Sequence, residues 1–120
     1  MKLAAFNAFC ANLPATTHVV QWGGAHVWKV GGKVFVIGHV QDGNLACSFR
    51  VSDIAFEVLR DAPGLRPAPY LASRGLKWIQ NFGKPVIKDK DLRKYIVMSH
   101  KIIAQGLSKK KRAELGLAET

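Results

Sequence analysis

Few side chains in this chain can do chemistry near neutral pH: His18, His26, His39 and His100, and the thiols Cys10 and Cys47. A metal centre or redox pair needs such groups at defined spacings, for example two cysteines with two residues between them or two histidines one helical turn apart. Here the cysteines stand far apart, with no CxxC and no histidine at ligand spacing. No carboxylate sits beside any of the four histidines to make a general base of it. Ser99 precedes His100, but neighbours on a helix do not face each other. Gly23-Gly24 and Gly31-Gly32 open no helix, so neither is a phosphate-cradling loop. The pattern argues against an enzyme and calls for no metal or other cofactor. The two thiols read as small buried hydrophobes, at home in a reducing cytoplasm.

What the chain does carry is charge, unevenly placed. Of its eighteen Lys and Arg residues, thirteen lie between Arg66 and Arg112, where Asp89 and Asp91 are the only acids. That segment therefore carries +11, the first 65 residues are nearly neutral, and the formal total is +10. Charge placement informs about partners rather than fold, and an anionic partner such as nucleic acid is the first candidate. The plain alternative is a solvated basic surface that keeps a small monomer soluble.

The elements that would position these charges follow from periodicity. Phe6, Phe9, Cys10 and Leu13 share one face of a short helix stopped by Pro14. Although Lys2 and the apolar residues after it faintly imitate a signal peptide, Asn7 and Asn12 interrupt the run, which reads as part of the fold. Residues 16–22 and 26–30 are expected strands around Gly23-Gly24. Residues 27–30 and 33–37 make a hairpin across Gly31-Gly32, a two-residue turn that needs positive φ. Residues 41–44 turn into another strand, where Leu45, Cys47, Phe49 and Val51 alternate with Asn44, Ala46, Ser48 and Arg50, apolar on one face and wet on the other. Ser52 is the expected N-cap of a helix burying Ile54, Ala55, Val58 and Leu59. After Pro63-Gly64, an extended connection runs to Ser73. Residues 76–82 alternate again, with Leu76, Trp78, Gln80 and Phe82 on one face.

Asp89 is the expected cap of a final helix. At about 100° per residue, Leu92, Tyr95, Ile96, Ser99, Ile102, Ile103 and Gly106 gather on one side and Lys90, Arg93, Lys94 and Lys101 on the other. Residues 109–112 extend the positive charge beyond it. No repeat or linker divides the chain, so residues 1–108 are read as one domain and residues 109–120 as a basic C-terminal tail. No run is long enough to span a membrane as a helix.

Several pieces occur together in a familiar order: Phe6-x-x-Phe9-Cys10-x-x-Leu13-Pro14, Gln21-Trp22-Gly23, residues 27–33 (Val-Trp-Lys-Val-Gly-Gly-Lys), Val51-Ser52, Pro63-Gly64, Pro69-Tyr70-Leu71, Trp78, Ser99-His100 and residues 107–110 (Leu-Ser-Lys-Lys). In this the chain resembles the MmcQ/YjbR family over nearly its whole length. The resemblance implies an α+β domain of two layers, related to the secretion-chaperone-like fold, with an antiparallel sheet of about five strands, helices on one face, an N-terminal helix and a long C-terminal helix. It also implies a bacterial, cytoplasmic, DNA-binding protein with two hairpin wings as contact elements. Family members often have an Asn-Lys pair and a His shortly before the strand Trp. This chain has Ser73-Arg74 and Lys77 there, so the cationic character is kept and the His role is not carried over.

On this reading Lys29 and Lys33 flank the tip of the first wing, and Arg74, Lys77 and Lys84 line the second strand pair. Arg66, the outer helical residues Lys90, Lys94 and Lys101, and the basic tail add phosphate contacts. Many residues could hold phosphate but none is identifiable as a base reader, so weak sequence preference is expected. Tyr70 and Trp78 offer faces for stacking bases, but Trp78 shares its strand face with Leu76 and Phe82, which places it in the core. The expected partner is DNA, with RNA second, and the working oligomeric state is a monomer. The competing class is a protein-interaction or chaperone-like module that uses the sheet or an exposed edge and has no nucleic-acid role.

Overall fold

Four strands joined by tight turns form most of the sheet: β1 (Thr16–Gln21), β2 (Ala25–Val30), β3 (Lys33–Gln41) and β4 (Asn44–Arg50). A computed structural model of the chain describes residues 1–69, 71, 75–82 and 87–117. The β2–β3 turn is Gly31-Gly32, with φ of 58° and 82°, the conformation a two-residue hairpin loop demands and a β-carbon resists. Two further strands, β5 (Leu65–Pro67) and β6 (Trp78–Asn81), complete the order β1-β2-β3-β4-β6-β5, and every neighbouring pair is antiparallel. The sheet thus has six strands where about five were expected. The addition is three-residue β5, which contains Pro67 and is too short to announce itself by alternation.

Helices α1 (Leu3–Ala11) and α3 (Asp89–Gln105) pack on one face of this sheet, giving the expected two-layer α+β architecture. Phe6 of α1 sits directly on Gly38 of β3, where a β-carbon would lie 2.6 Å from the Phe6 ring. Tyr95 of α3 stacks on Phe49 of β4 with ring centroids 5.1 Å apart. Leu92 and Ile96 join Phe6, Cys10, Val36, Cys47, Phe49 and Ile79 in the core, so the apolar stripe of α3 faces the sheet as its periodicity required. Lys90, Arg93, Lys94 and Lys101 are all exposed.

Two short helices complete the chain, α2 (Asp53–Leu59) and α4 (Lys109–Glu114). Ser52 caps α2 as expected, its hydroxyl accepting the Ala55 amide at 3.1 Å. The inward face of α2 is not the expected one, however. Phe56 is buried and Ala55 and Leu59 half-buried, while Ile54 and Val58 are 81% and 69% exposed. The large Phe56 ring takes the core contact, with the Arg60 guanidinium and the Lys77 ammonium over it, and this turns Ile54 and Val58 outward.

Three other expectations need correction. The second face of β4 is not wet: Ala46 and Ser48 are buried, because Ser48 lies opposite Gln80 and Arg50 opposite Trp78 in an interior ladder. Trp78 is buried, but on the face away from Ile79 and the helix-side core, and its expected companions Leu76 and Phe82 are exposed beyond the ends of β6. Asp89 is the first residue of α3 rather than its cap. Lys88 holds the cap position without a side-chain bond, and the Asp89 carboxylate binds the Met1 ammonium at 2.8 Å. The ammonium's hydrogen bond holds the Asp89 carboxyl below the usual range.

One residue of α3 enters the sheet itself. Between Trp28 and Lys29 the β2–β3 register shifts, leaving Phe35 as an extra residue in β3. The Phe35 carbonyl accepts from the Ser99 hydroxyl, and that same oxygen accepts from the Arg50 amide at 2.8 Å. Ser99 therefore bridges β3 and β4 where their own ladder stops at Val36 and Phe49. Beside it His100 meets the Phe35 ring edge-on and binds the Pro14 carbonyl through Nε2 at 2.8 Å. A carbonyl can only accept, so His100 carries its proton on Nε2 and ties α3 to the α1–β1 turn.

Candidate nucleic-acid interface

The β2–β3 turn is one of the places where the two halves of the chain meet. A β-carbon on Gly31 would stand 2.6 Å from Leu107 Cδ1 and 3.1 Å from Leu115 Cδ1, so the turn lies against the corner between α3 and α4. Leu107 and Leu117 are buried and Leu115 half-buried, and these leucines anchor on the core the segment expected as a basic tail. Ser108 caps α4 through the Lys111 amide at 3.1 Å. The apolar spacing Leu107, Leu115, Leu117 thus sets Lys109, Lys110 and Lys111 outward beside the turn that carries Lys33. All four lysines are exposed, and Arg112 is half-buried with an Nε that has no hydrogen-bond partner.

The other proposed contact residues fall elsewhere. Lys29 is half-buried opposite Val34, close to the same turn. Lys90 and Lys94 stand at the start of α3 and Lys101 in its second half, all on the outer surface of the helix layer. Arg66 is held within the sheet: its Nε donates to Gln80 Oε1 at 2.8 Å and its guanidinium lies 4.3 Å from the Phe82 ring centroid. Lys77 lies over Phe56, with its ammonium 4.9 Å from the ring centroid. Arg74, Lys84 and Tyr70 lie outside the described residues. Among the described ones, Arg66 and Lys77 are thus engaged by other side chains, whereas the turn that carries Lys33 seats against the corner that leads into α4, the segment expected as a basic tail.

The opposite end of the sheet mixes charged and neutral parts, with Lys2, Asp42 and Arg66 around its cleft. An open cleft of about 710 Å³ lies between the start of α1, the β3–β4 turn and Leu92. The Met1 ammonium beside it is already paired with Asp89, the only ion pair among the described residues. Residues 3–28 contain no Lys, Arg, Asp or Glu at all. At the β1–β2 turn Trp22 is 67% exposed and has φ of 53°, a left-handed conformation uncommon for a bulky residue.

A histidine cluster that sequence spacing missed lies within this uncharged segment. The indole N–H of Trp28 can only donate, and it donates to Asn7 Oδ1 at 3.0 Å. The Asn7 amide nitrogen must then face His26 Nδ1, at 3.3 Å, as donor. His18 Nε2 reaches that same Nδ1 at 3.0 Å, so His18 donates as well and neutral His26 holds its proton on Nε2. His18 also lies flat on Trp28, centroids 4.4 Å apart. Contact that strips water from the ring, then the neighbouring His26, lowers the His18 pKa below 6.5. The signal was cross-strand: His18 stands opposite Trp28 and diagonal to His26 once the hairpin is registered on its turn.

Both cysteines are free and buried, and burial pushes the Cys10 thiol up to about 12 and the Cys47 thiol higher still. Neither is a nucleophile in this state. Among the described residues no three His, Cys, Asp or Glu side chains gather as a metal would need. No helix among them is long and apolar enough to cross a membrane.

Known structures share this arrangement. Deinococcus radiodurans protein DR2400, which carries a DUF419 domain, superposes with a TM-score of 0.82 over 97% of this chain and 88% of its own, at 21% identity. A Pseudomonas syringae protein superposes with a TM-score of 0.66 over 85% of this chain and 98% of its own, at 15% identity. At such identities the likeness is one of fold. No curated protein matches the sequence. The family model described as YjbR matches residues 11–102, from the end of α1 to the second half of α3. The meander, the Ser99 bridge and most of the helix layer lie within that match, and the chain belongs to the YjbR family.

Proposed function

We propose that this protein binds nucleic acid, DNA first and RNA second, by electrostatic contact at the end of the molecule where the β2–β3 turn meets α4. The observation that carries the reading is the seating of Gly31 against Leu107 and Leu115, which puts exposed Lys33 beside exposed Lys109, Lys110 and Lys111. None of these ammonium groups has an acid partner among the described residues, so each is available to a phosphate. Each phosphate neutralised releases a counterion, which gives affinity without sequence information. The action is binding rather than catalysis, with weak sequence preference and no cofactor. Lys29 and Lys101 extend the surface, whereas Arg66 and Lys77 act mainly inside the protein through Gln80, Phe82 and Phe56.

Fluorescence anisotropy against duplex and single-stranded DNA across a salt series tests this. With roughly five phosphates neutralised, log affinity should fall against log salt with a slope of about −4 to −5 for duplex. Reversing Lys33 and Lys110 together to Glu should weaken all sequences alike and flatten that slope. Reversing Lys90 and Lys94 should matter less. Absence of binding at low salt would sink the reading.

A further inference from the structure

The two edges of the sheet are built to opposite standards. At one edge, β5 is three residues long and contains Arg66 and Pro67, so it offers little to another strand. At the other, β1 is six residues long, Thr-Thr-His-Val-Val-Gln, with no proline, no bulge and no charge. It is rich in β-branched residues and hydrogen-bonds to β2 alone, and residues 17–20 are exposed. Natural sheets blunt such an edge with charge, proline, a bulge or a cover. β1 has none of these among the described residues. Val20, 52% exposed, and Trp22 just beyond its end make this edge apolar as well.

We propose that β1 pairs antiparallel with β1 of a second copy of this chain, about a two-fold axis perpendicular to the sheet. The charge distribution selects that occupant. Each copy carries +10, so two copies repel wherever their basic surfaces meet, and association is feasible only through a neutral region. Residues 3–28 supply one, and it includes the whole of β1 and the β1–β2 turn; Lys29, which stands opposite Thr17 on β2, is half-buried. The contact is isologous: Val19 of one copy lies opposite Val19 of the other, with His18 opposite Val20 on either side, and the two six-stranded sheets become one. Both helix layers then lie on one side, and α4 sits past the Thr16 end of β1, against the turn that follows Val30, rather than at the middle of the strand.

Salt separates this inference from the nucleic-acid reading. Screening weakens phosphate contacts but relieves repulsion between two cationic copies, so dimerisation should strengthen as salt rises. Sedimentation velocity without nucleic acid, over a wide protein concentration range at low and high salt, is the test. The expected result is a mass moving from one chain toward two, further at high salt. Val19 is partly exposed, so Val19→Lys should keep its fold by circular dichroism and sediment as a monomer throughout, while Val19→Thr should still dimerise. Val19→Cys should give a disulfide-linked pair on mild oxidation, since Cys10 and Cys47 are buried. A monomer under all conditions overturns the inference, as does a dimer that Val19→Lys leaves intact.

Discussion

The two glycine-containing turns that flank β2 are alike in sequence and opposite in fate. Gly31 is pressed against Leu107 and Leu115, with Lys29 and Lys33 flanking the turn in sequence, and joins the first part of the chain to the last. The β1–β2 turn touches nothing at Gly23 or Gly24, carries no charge and holds Trp22 outward. One turn is a structural junction with a cationic rim and the other a free neutral tip. A turn motif therefore reports backbone geometry, and only its neighbours decide what it can meet.

The contrast can be tested by substitution, beginning with the junction. Gly31→Val should be the most damaging change, because a left-handed β-carbon and a clash with Leu107 add to on the order of 3 kcal/mol. Thermal denaturation should show this, and it should cost nucleic-acid affinity even though no charge is lost. Ser99→Ala comes next at about 2 kcal/mol, since it leaves the Phe35 carbonyl and the Arg50 amide without their partner. Chemical denaturation would measure it, and Ser99→Thr should recover part of the loss if the methyl group fits. At the free tip Gly23→Ala should cost only about 1–2 kcal/mol, a purely conformational term, because nothing lies near its missing side chain.

Trp22→Gly reverses the sign. Relieving its left-handed backbone should stabilise the hairpin by about 1 kcal/mol, and loss of stability would show that the indole makes a contact worth more than the strain. The smallest effect concerns His18. Its folded pKa is lowered, so its contribution to stability is present above 6.5 and is lost as pH falls through the lower folded value. An NMR titration should place the His18 midpoint below 6.5, and His18→Gln should lessen the drop in Tm on acidification.

Much of the fold was legible because its signals are local. The Gly31-Gly32 hairpin, the Ser52 cap and the 3.6-residue stripe of α3 each depend on residues close in sequence, and each is found in place. Failures came where a distant residue outweighed the local pattern. Phe56 rotated α2, and Trp78 took the face away from the helices because Ile79 fills the place beside Phe49. The site was less legible still. Charge counting pointed to the basic half of the chain, but the leucines that seat α4 against the β2–β3 turn act across most of the chain length. The His18–His26 pair was invisible for the same reason: strand register, not sequence spacing, brings it together.

The Ser99 bridge makes one amide an unusual reporter. The Arg50 N–H belongs to a strand yet donates to a helix side chain, so its exchange with solvent measures the seating of α3 rather than the fraying of β4. A loosening of the helix layer, by temperature or by a ligand pulling on the basic corner, would register at Arg50 before the sheet amides around it respond.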